Sequence, residues 1–524
     1  MTLRFWFNKY WEKNMSNINF IKKNKLLVIY TFLLGLITYA VKLFSFGYGM
    51  DTLNFITLQD TYLMHWIEIG RPGMYLFKKY ITSQYMNIYI ANFCFVFFLC
   101  ITSLVICNIA SIKLGDEQGN QFSEQLRLFI IPSLFITAPL FVQQAYFVLQ
   151  NIEFSFSMLL VTFTVLLFVM KINNKIGFRL LAIFSLTIAF SCYQSFIIYY
   201  IGLLIFVAFL EVHKSWQNGR QTGLINLFKK YCSPIFDMFI AFAGYEIFSK
   251  VMLYTFHLKA SSYLGGQILW GKKAFSTTLK LTLVSIKNTL LTGFSYSFNV
   301  ALLIGLIGLV IIWITQYVVK RNNECIFFIL LMGLFLDTFF FNILLGNTPA
   351  SRALVPSYCL VVAIVFFICS LYIKKNALLI LLEVLVFLIA GKQIFLTTNL
   401  IQADQVRFYQ DQAMISRIET QLDTMNVNPN DTKLMLVGYH NNVTPLNIQD
   451  DLVGESMFEF GDFTGNTSAM TENIVFLMNQ GGYNIRAVNN EEFNKEFRKT
   501  RKMRTFPQKN SIMKHGNIVI IKLS

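Results

Sequence analysis

The feature that most limits how this chain can fold is the recurrence of long apolar runs. The first, LLVIYTFLLGLITYAVKLFSF from Leu26 to Phe46, is followed by many more along a chain of 524 residues that is 55% hydrophobic. About 20 consecutive apolar residues carry a helix across the ~30 Å hydrocarbon core of a bilayer, and no water is available there to satisfy an open backbone. The runs therefore predict a mainly α, polytopic helical membrane protein. Spans drawn at roughly 26–46, 86–110, 128–148, 153–171, 178–192, 195–211, 233–256, 298–319, 325–344, 353–373 and 377–397 give about eleven transmembrane helices. Segments 178–192 and 195–211 are the thinnest for a crossing. They are divided by SCYQSF (Ser191 to Phe196), which has the look of a tight turn at one membrane face. The first run is too long for a cleaved leader, and Phe44, Phe46 and Tyr48 stand where a cleavage site needs small residues. It is expected to remain as the first span.

Charge between the spans sets the orientation. Lys22, Lys23 and Lys25 precede the first span; KINNKIGFR (Lys171 to Arg179) and HKSWQNGR (His213 to Arg220) follow the fourth and sixth, and KRNN (Lys320 to Asn323) and KKN (Lys374 to Asn376) the eighth and tenth. With a cytoplasmic N-terminus all five clusters lie inside, as the positive-inside rule requires, and an odd count leaves the C-terminus outside. The net charge of +16 is then taken up by helix ends and by anionic lipid head groups. Membrane lipid, not nucleic acid, is the expected partner of that charge. Six of the eight cysteines (Cys94, Cys100, Cys107, Cys192, Cys359, Cys369) lie in or beside apolar runs, where they pack as small hydrophobes. None follows Cys369 and no CxxC pair occurs, so neither a disulfide framework in the tail nor a cysteine metal site is expected.

This arrangement divides the chain into a transmembrane domain, 1–397, with outer loops 47–85 and 257–297, and an extracytoplasmic C-terminal α/β domain, 398–524. A polar helix around Ile401 to Met425 joins the two. In the tail, DTKLMLVGYHNN (Asp431 to Asn442) and HGNIVIIKLS (His515 to Ser524) contain strand-like runs between turn-forming residues. TENIVFLMNQGGYNI between them has the pattern of a helix closed by a Gly-Gly cap.

The outer loop MDTLNFITLQDTYLMHWIEIGRPGMYLFKKY (Met50 to Tyr80) sorts its charges, with Asp51, Asp60 and Glu68 first and Arg71, Lys78 and Lys79 after them. Leu53, Phe55, Ile56, Tyr62, Leu63, Trp66, Ile67 and Ile69 recur at roughly helical spacing, and Tyr62 and Trp66 suit the head-group zone. IGRPG then stops the helix. A loop folded back in this way holds Asp51 near the outer ends of the spans, where a carboxylate is able to take a proton from an incoming hydroxyl. An ordinary solvated loop with surface charges is the alternative that composition leaves open.

An outer loop of the form YGMDT…W…GRPG…L…K after a first span is similar to that of the Gtr type II glucosyltransferase family, within the GT-C class of polytopic glycosyltransferases. Asp51, Trp66, Gly70, Arg71 and Lys78 carry the resemblance, with YQSF (Tyr193 to Phe196) further on and RTFPQKNSIMKHGNIVIIKL resembling the family's final strand pair. The resemblance implies a GT-C-like membrane domain and transfer, outside a bacterial plasma membrane, of a hexose such as glucose. The donor would be polyprenyl-phosphate-linked, such as undecaprenyl-phosphate glucose, and the acceptor a cell-wall or surface polysaccharide, as in O-antigen modification. Such a reaction needs a base for the acceptor hydroxyl and cations for the phosphate. The base would be Asp51, with inversion at the anomeric carbon. Family members often show an acidic pair at this point, whereas Thr52 and Leu53 follow Asp51 here, which leaves Asp60 or Glu68 as the second carboxylate or as the base.

For the phosphate, Arg71 and Arg352 are the first candidates, because a guanidinium fork matches phosphate oxygens better than an ammonium does. Arg352 stands in LGNTPASRALVP, the short outer turn between spans nine and ten, where anchoring the span is the competing role. Lys272 and Lys273 of LWGKK are further candidates, though contacts with head groups suit them better. Trp66, Gln194, Asn151 and Glu153 are candidates for sugar or acceptor contacts, the last three sharing the outer ends of neighbouring spans. Among the deeper acids Asp237, Glu246, Asp337 and Glu383, Glu246 and Asp337 are the most central and are candidates to line a cavity. The five His show no paired ligand spacing, so no zinc site is expected; a divalent cation bridging Asp51 and the phosphate stays open. A flippase for lipid-linked oligosaccharide is the main rival, but it predicts two related halves and broken helices at the midplane. A polysaccharide polymerase predicts no folded tail.

Overall fold

The computed structural model describes residues 16–82, 87–115, 121–170, 175–219, 223–292, 299–320, 325–441, 452–459 and 467–524. Loop residues 171–174, 220 and 321–323 of the basic clusters lie outside them. The chain is mostly helical with one small sheet near its C-terminus, and it divides into two compact units. The first comprises 1–43, 64–145 and 150–398, and the second 44–63, 146–149 and 399–524.

Among the described residues of the whole chain, eight helices are long and apolar enough to cross a membrane, or nine if a pair bent by 43° counts as one crossing. The bend falls at Pro139, which opens a 3₁₀ turn (Pro139–Phe141) where proline needs no N–H partner. All of the expected spans coincide with helices. A count of eleven would need Ile176–Cys192 and Leu224–Thr255 to cross as well. The first has only 17 residues, and the second carries Lys229, Lys230, Asp237, Glu246 and Lys250.

The first unit is a helical bundle around Ser351–Leu371, whose apolar window is buried on every side. A helix apolar all round belongs in the interior of a bundle. The helices Asn299–Lys320 and Cys325–Leu345 instead bury only about a third of theirs and turn Ile307, Ile311, Ile329 and Leu336 outward. Phe196–Gln217 packs beside the central helix, so the first turns of both reach one end of the bundle.

The second unit holds the sheet. Strands β1 (Lys433–Val437), β2 (Arg486–Ala487), β3 (Ile512–His515) and β4 (Ile518–Lys522) lie in the order β2-β1-β4-β3. β1 runs parallel to β2 and β4, and β3 closes an antiparallel hairpin on β4. Met435, Val437, Ile518 and Ile520 form one apolar face with Val488, covered by Phe493 and Met503. The helix Thr467–Gln480, ended by Gly481 and Gly482, packs on β1, and Thr471 Oγ1 accepts the N–H of Leu436 at 3.1 Å.

The stretch 44–63 is built into this second unit. The helix Met50–Thr57 packs on Thr467–Gln480, and Asn473 donates to Asn54 Oδ1 at 2.7 Å. Just before it, Tyr48 is held by Arg407, which is 1% exposed. The guanidinium donates to the Tyr48 carbonyl (3.2 Å), Asp404 (2.8 Å) and Asp411 (3.3 Å). Asp411 in turn accepts from the N–H of Met457 at 2.9 Å, so one buried cation ties Tyr48 to the loop 452–459.

Candidate functional site

The loop 50–80 folds as three helices, Met50–Thr57, Gln59–Glu68 and Pro72–Tyr80. Its apolar positions are largely packed inside the protein. Leu53, Phe55 and Ile67 are fully buried and Trp66 is 2% exposed, because the amphipathic faces pack against protein. Trp66 serves the turn through its backbone, its carbonyl accepting the Arg71 N–H at 2.7 Å.

That turn is the centre of the site in the first unit. Gly70 has φ +74°, and a Cβ there would lie 3.0 Å from Tyr245 Oη and 3.2 Å from Gln194 Nε2. Only glycine fits both the left-handed backbone and the close approach. Gln194 Nε2 donates to the Gly70 carbonyl (2.8 Å) and the Ile69 carbonyl (3.2 Å), while its Oε1 accepts Arg71 Nε at 3.4 Å. Tyr245 donates to the same Gly70 carbonyl at 3.1 Å. The Arg71 guanidinium lies 4.4 Å from the centroid of the Tyr193 ring, a cation–π geometry that orients the fork. Among the described residues no carboxylate pairs with Arg71.

Tyr193 reaches the second arginine. Its hydroxyl donates to the Arg352 carbonyl at 3.2 Å, and Gln144 Nε2 donates there too at 3.3 Å. Gln150 braces Gln144 (3.1 Å). Arg71, Tyr193, Gln194, Ser195 and Arg352 line a single cavity of about 270 Å³, together with Gln267 and the apolar wall of Ile268, Phe341, Leu344 and Leu345. Two helices begin at this cavity, Phe196–Gln217 after Ser195 and Ser351–Leu371 with Arg352 in its first turn. Helix N-termini carry partial positive charge and free N–H groups, so both favour an anion. Ser195 Oγ is buried with no hydrogen-bond partner among the described residues, a hydroxyl that a ligand oxygen would satisfy.

The other candidates fall elsewhere. Lys272 caps the Gly265 and Gly266 carbonyls at 2.7 and 3.1 Å; it and Lys273 stand in an exposed turn and are not among the lining residues. Glu153 forms a buried ion pair with Lys78 at 2.9 Å, both side chains at most 2% exposed, and also accepts from Thr82 at 2.7 Å. Asn151 donates to Asn92 at 3.1 Å. Glu68 Oε2 stands 3.7 Å from His65 Nδ1, and its carbonyl accepts the Ser261 N–H. Of the deeper acids, Asp237 pairs with Arg179 at 2.6 Å, Glu246 and Glu383 are half-buried, and Asp337 is 4% exposed beside Gly202 without a hydrogen bond among the described residues.

Asp51 and Asp60 belong to the second unit. Asp51 occupies the first turn of Met50–Thr57, half-buried, and its Oδ1 accepts the Tyr62 hydroxyl at 3.1 Å. The entry to that helix is tight: a Cβ on Gly49 would stand 2.8 Å from the Tyr146 ring, whose hydroxyl accepts the Met50 N–H at 3.1 Å. Asp60 is exposed. Among the described residues no three His, Cys, Asp or Glu gather as metal ligands. Among the described residues no carboxylate lines the cavity between Arg71 and Arg352, a donor set that meets phosphate oxygens directly.

Sequence reasoning missed Tyr193, Ser195 and Gln144 as parts of the site. The signal for Gln144 was available: Gln143 and Gln144 interrupt an apolar run at a span's end.

The fold and cavity define a multi-pass membrane protein with a cationic, partly apolar cavity at one end of its helical bundle. The sequence model of the family described as Glucosyl transferase GtrII matches residues 40–368, more than half of the chain, and takes in Asp51, Arg71 and Arg352. The chain belongs to this family of glucosyl transferases, which implies a sugar donor and a glycan acceptor. Neither a curated protein nor a solved structure gives a match.

Proposed function

We propose that the protein transfers glucose, or a related hexose, from a polyprenyl-phosphate carrier to a cell-surface or cell-wall polysaccharide on the outer side of a bacterial plasma membrane. It does so as a GT-C-like enzyme with about eleven spans, its N-terminus cytoplasmic and its C-terminus outside. The observation that carries the reading is the cavity in which Arg71, Arg352, two helix N-termini and the unsatisfied Ser195 hydroxyl adjoin an apolar wall. A phosphate joined to a lipid needs both parts.

In the reaction the acceptor oxygen attacks the anomeric carbon, the bond from that carbon to the phosphate oxygen breaks, and its electron pair leaves on the phosphate. The leaving group is already a stable anion, so cations serve it better than an acid. Arg71, aimed by Tyr193 and Gln194, and Arg352 supply them. The acceptor's proton goes to a carboxylate. Asp51 is assigned that role, with Asp60 and Glu68 as the alternatives, and the Tyr62 hydroxyl donates to one of its oxygens. Gln194 serves the donor end by holding Arg71.

The test is glucose incorporation into the surface glycan by cells carrying Asp51→Asn, Arg71→Lys or Arg352→Lys at parental membrane levels. Loss of a branch sugar in all three supports the reading. A normal branch in Asp51→Asn rejects that residue as base, and loss of the whole polymer with lipid-linked units accumulating inside would show a flippase instead.

A further inference from the structure

The opposite end of the first unit carries a second amphipathic cavity that glucosyl transfer does not use. Phe196–Gln217 begins at the arginine cavity and runs about 33 Å, at 1.5 Å per residue, with Glu211, Lys214 and Ser215 near its far end. These side chains line a polar cavity of about 550 Å³ with Lys113, Asn218, Asn226 and Lys230. Lys113 pairs with Glu211, Lys230 pairs with the same carboxylate at 2.5 Å, and Lys214 donates to the Lys113 carbonyl at 3.1 Å. Three lysines against one glutamate leave a net charge of +2 in the cavity.

Leu227 lines this cavity and also a neighbouring one of about 480 Å³. That second cavity is lined almost wholly by apolar side chains, among them Ile201, Ala208, Phe228, Phe239 and Ile329, from Phe196–Gln217, Leu224–Thr255 and Cys325–Leu345. On Leu224–Thr255 its lining runs from Leu224 to Phe239, roughly 22 Å along the helix axis. A cationic chamber at the helix ends, sharing one lining leucine with an apolar groove about as long as an acyl chain, matches the shape and charge of an anionic amphiphile.

We infer that this double cavity binds one glycerophospholipid with a net-negative phosphate head group, its phosphate among Lys113, Lys214 and Lys230 and one acyl chain in the groove beside Leu227. Glu211 holds the lysines together and limits their pull on the head group. This gives an expectation opposite in sign to that of a purely structural ion cluster: neutralising Glu211 strengthens anion binding.

The experiment is native mass spectrometry of the full-length protein in detergent, titrated with phosphatidylglycerol, phosphatidylcholine, inorganic phosphate or polyprenyl phosphate. The expected result is one phosphatidylglycerol bound at least tenfold more tightly than phosphatidylcholine. Lys214→Gln and Lys230→Gln should each weaken it about fivefold, the effect of one basic group near a lipid surface. Glu211→Gln should tighten it, and Ala208→Trp, which fills the groove, should weaken it with the lysines intact. Equal binding of the two phospholipids overturns the proposal. So does inorganic phosphate competing as well as the lipid, which would make the site one for a free ion, or polyprenyl phosphate displacing the phospholipid at equal concentration, which would give the groove to the sugar donor. Unchanged affinity in both lysine variants, with both folded by thermal unfolding, overturns it as well.

Discussion

Glu153 was a candidate for acceptor binding and Lys78 one of the residues carrying the family resemblance, yet the structure joins them in an ion pair at 2.9 Å with side-chain exposures of 0% and 2%. Lys78→Met should therefore act first on stability. The variant leaves the Glu153 carboxylate buried with Thr82 as its one remaining hydrogen-bond donor among the described residues, where its Oε2 has no partner even in the parent. Breaking a buried pair by removing one partner costs about 3–5 kcal/mol, because the surviving charge keeps its desolvation penalty. Glu153→Gln strands the ammonium in the same way and should cost a similar amount. At ~2 °C per kcal/mol, the low end of the scale for larger domains, each single variant should melt roughly 6–10 °C below the parent. The double variant removes both charges and should recover most of that loss, giving a coupling energy of several kcal/mol. The assay is thermal unfolding of the detergent-solubilised protein, with glucosyl transfer measured in parallel on membranes. Single variants as stable as the parent would refute the burial argument. A double variant of parental stability that transfers no sugar would refute the structural role and return Glu153 or Lys78 to the substrate.

Gly70→Ala should reduce transfer by at least tenfold at normal expression, because its Cβ meets Tyr245 and Gln194 and so displaces Arg71; a normal rate would show that the turn does not aim the arginine. Arg71→Lys keeps the charge but loses the fork and the Tyr193 contact, so KM for the donor should rise more than tenfold in a titration of polyprenyl-phosphate sugar. Arg407→Met strands Asp404 and Asp411 and should destabilise the second unit by about 3–5 kcal/mol, read as faster limited proteolysis of the region 399–524. Glu496 is held below the usual carboxylate range chiefly by its hydrogen bond from Lys499. A carboxyl group lowered in this way stabilises the fold above its unfolded pKa of about 4.3 and loses that contribution as pH falls through the folded value. Lys499→Met should therefore flatten the acid dependence of melting below about pH 5 and leave little change in slope at pH 7.

How much of this was legible in the sequence follows from the range of the contacts. The apolar runs named every long helix, because a bilayer demands that length locally. IGRPG marked the stop at Gly70, SCYQSF the turn at Tyr193, and LGNTPASRALVP the turn before the helix that presents Arg352, since turn chemistry is also local. The strands β1 and β4 and the helix before Gly481 were visible for the same reason. The fate of residues 44–63 was not. Their place in the second unit rests on Asn473 with Asn54, 419 positions apart, and on Arg407 with Tyr48, 359 apart. No periodicity links such partners, and the buried Arg407 looked like one more polar residue on a long helix. The loop's sorted charges are thereby explained in part. The break between its acids and bases lies close to the seam where the chain leaves one unit for the other, Asp51 and Asp60 before it and Glu68, Arg71 and Lys78 after. Asp51 stands in the first half beside Tyr62, and Arg71 in the second, where no carboxylate pairs with it among the described residues. Sequence order supplies both from one loop by assigning its two halves to separately packed cores.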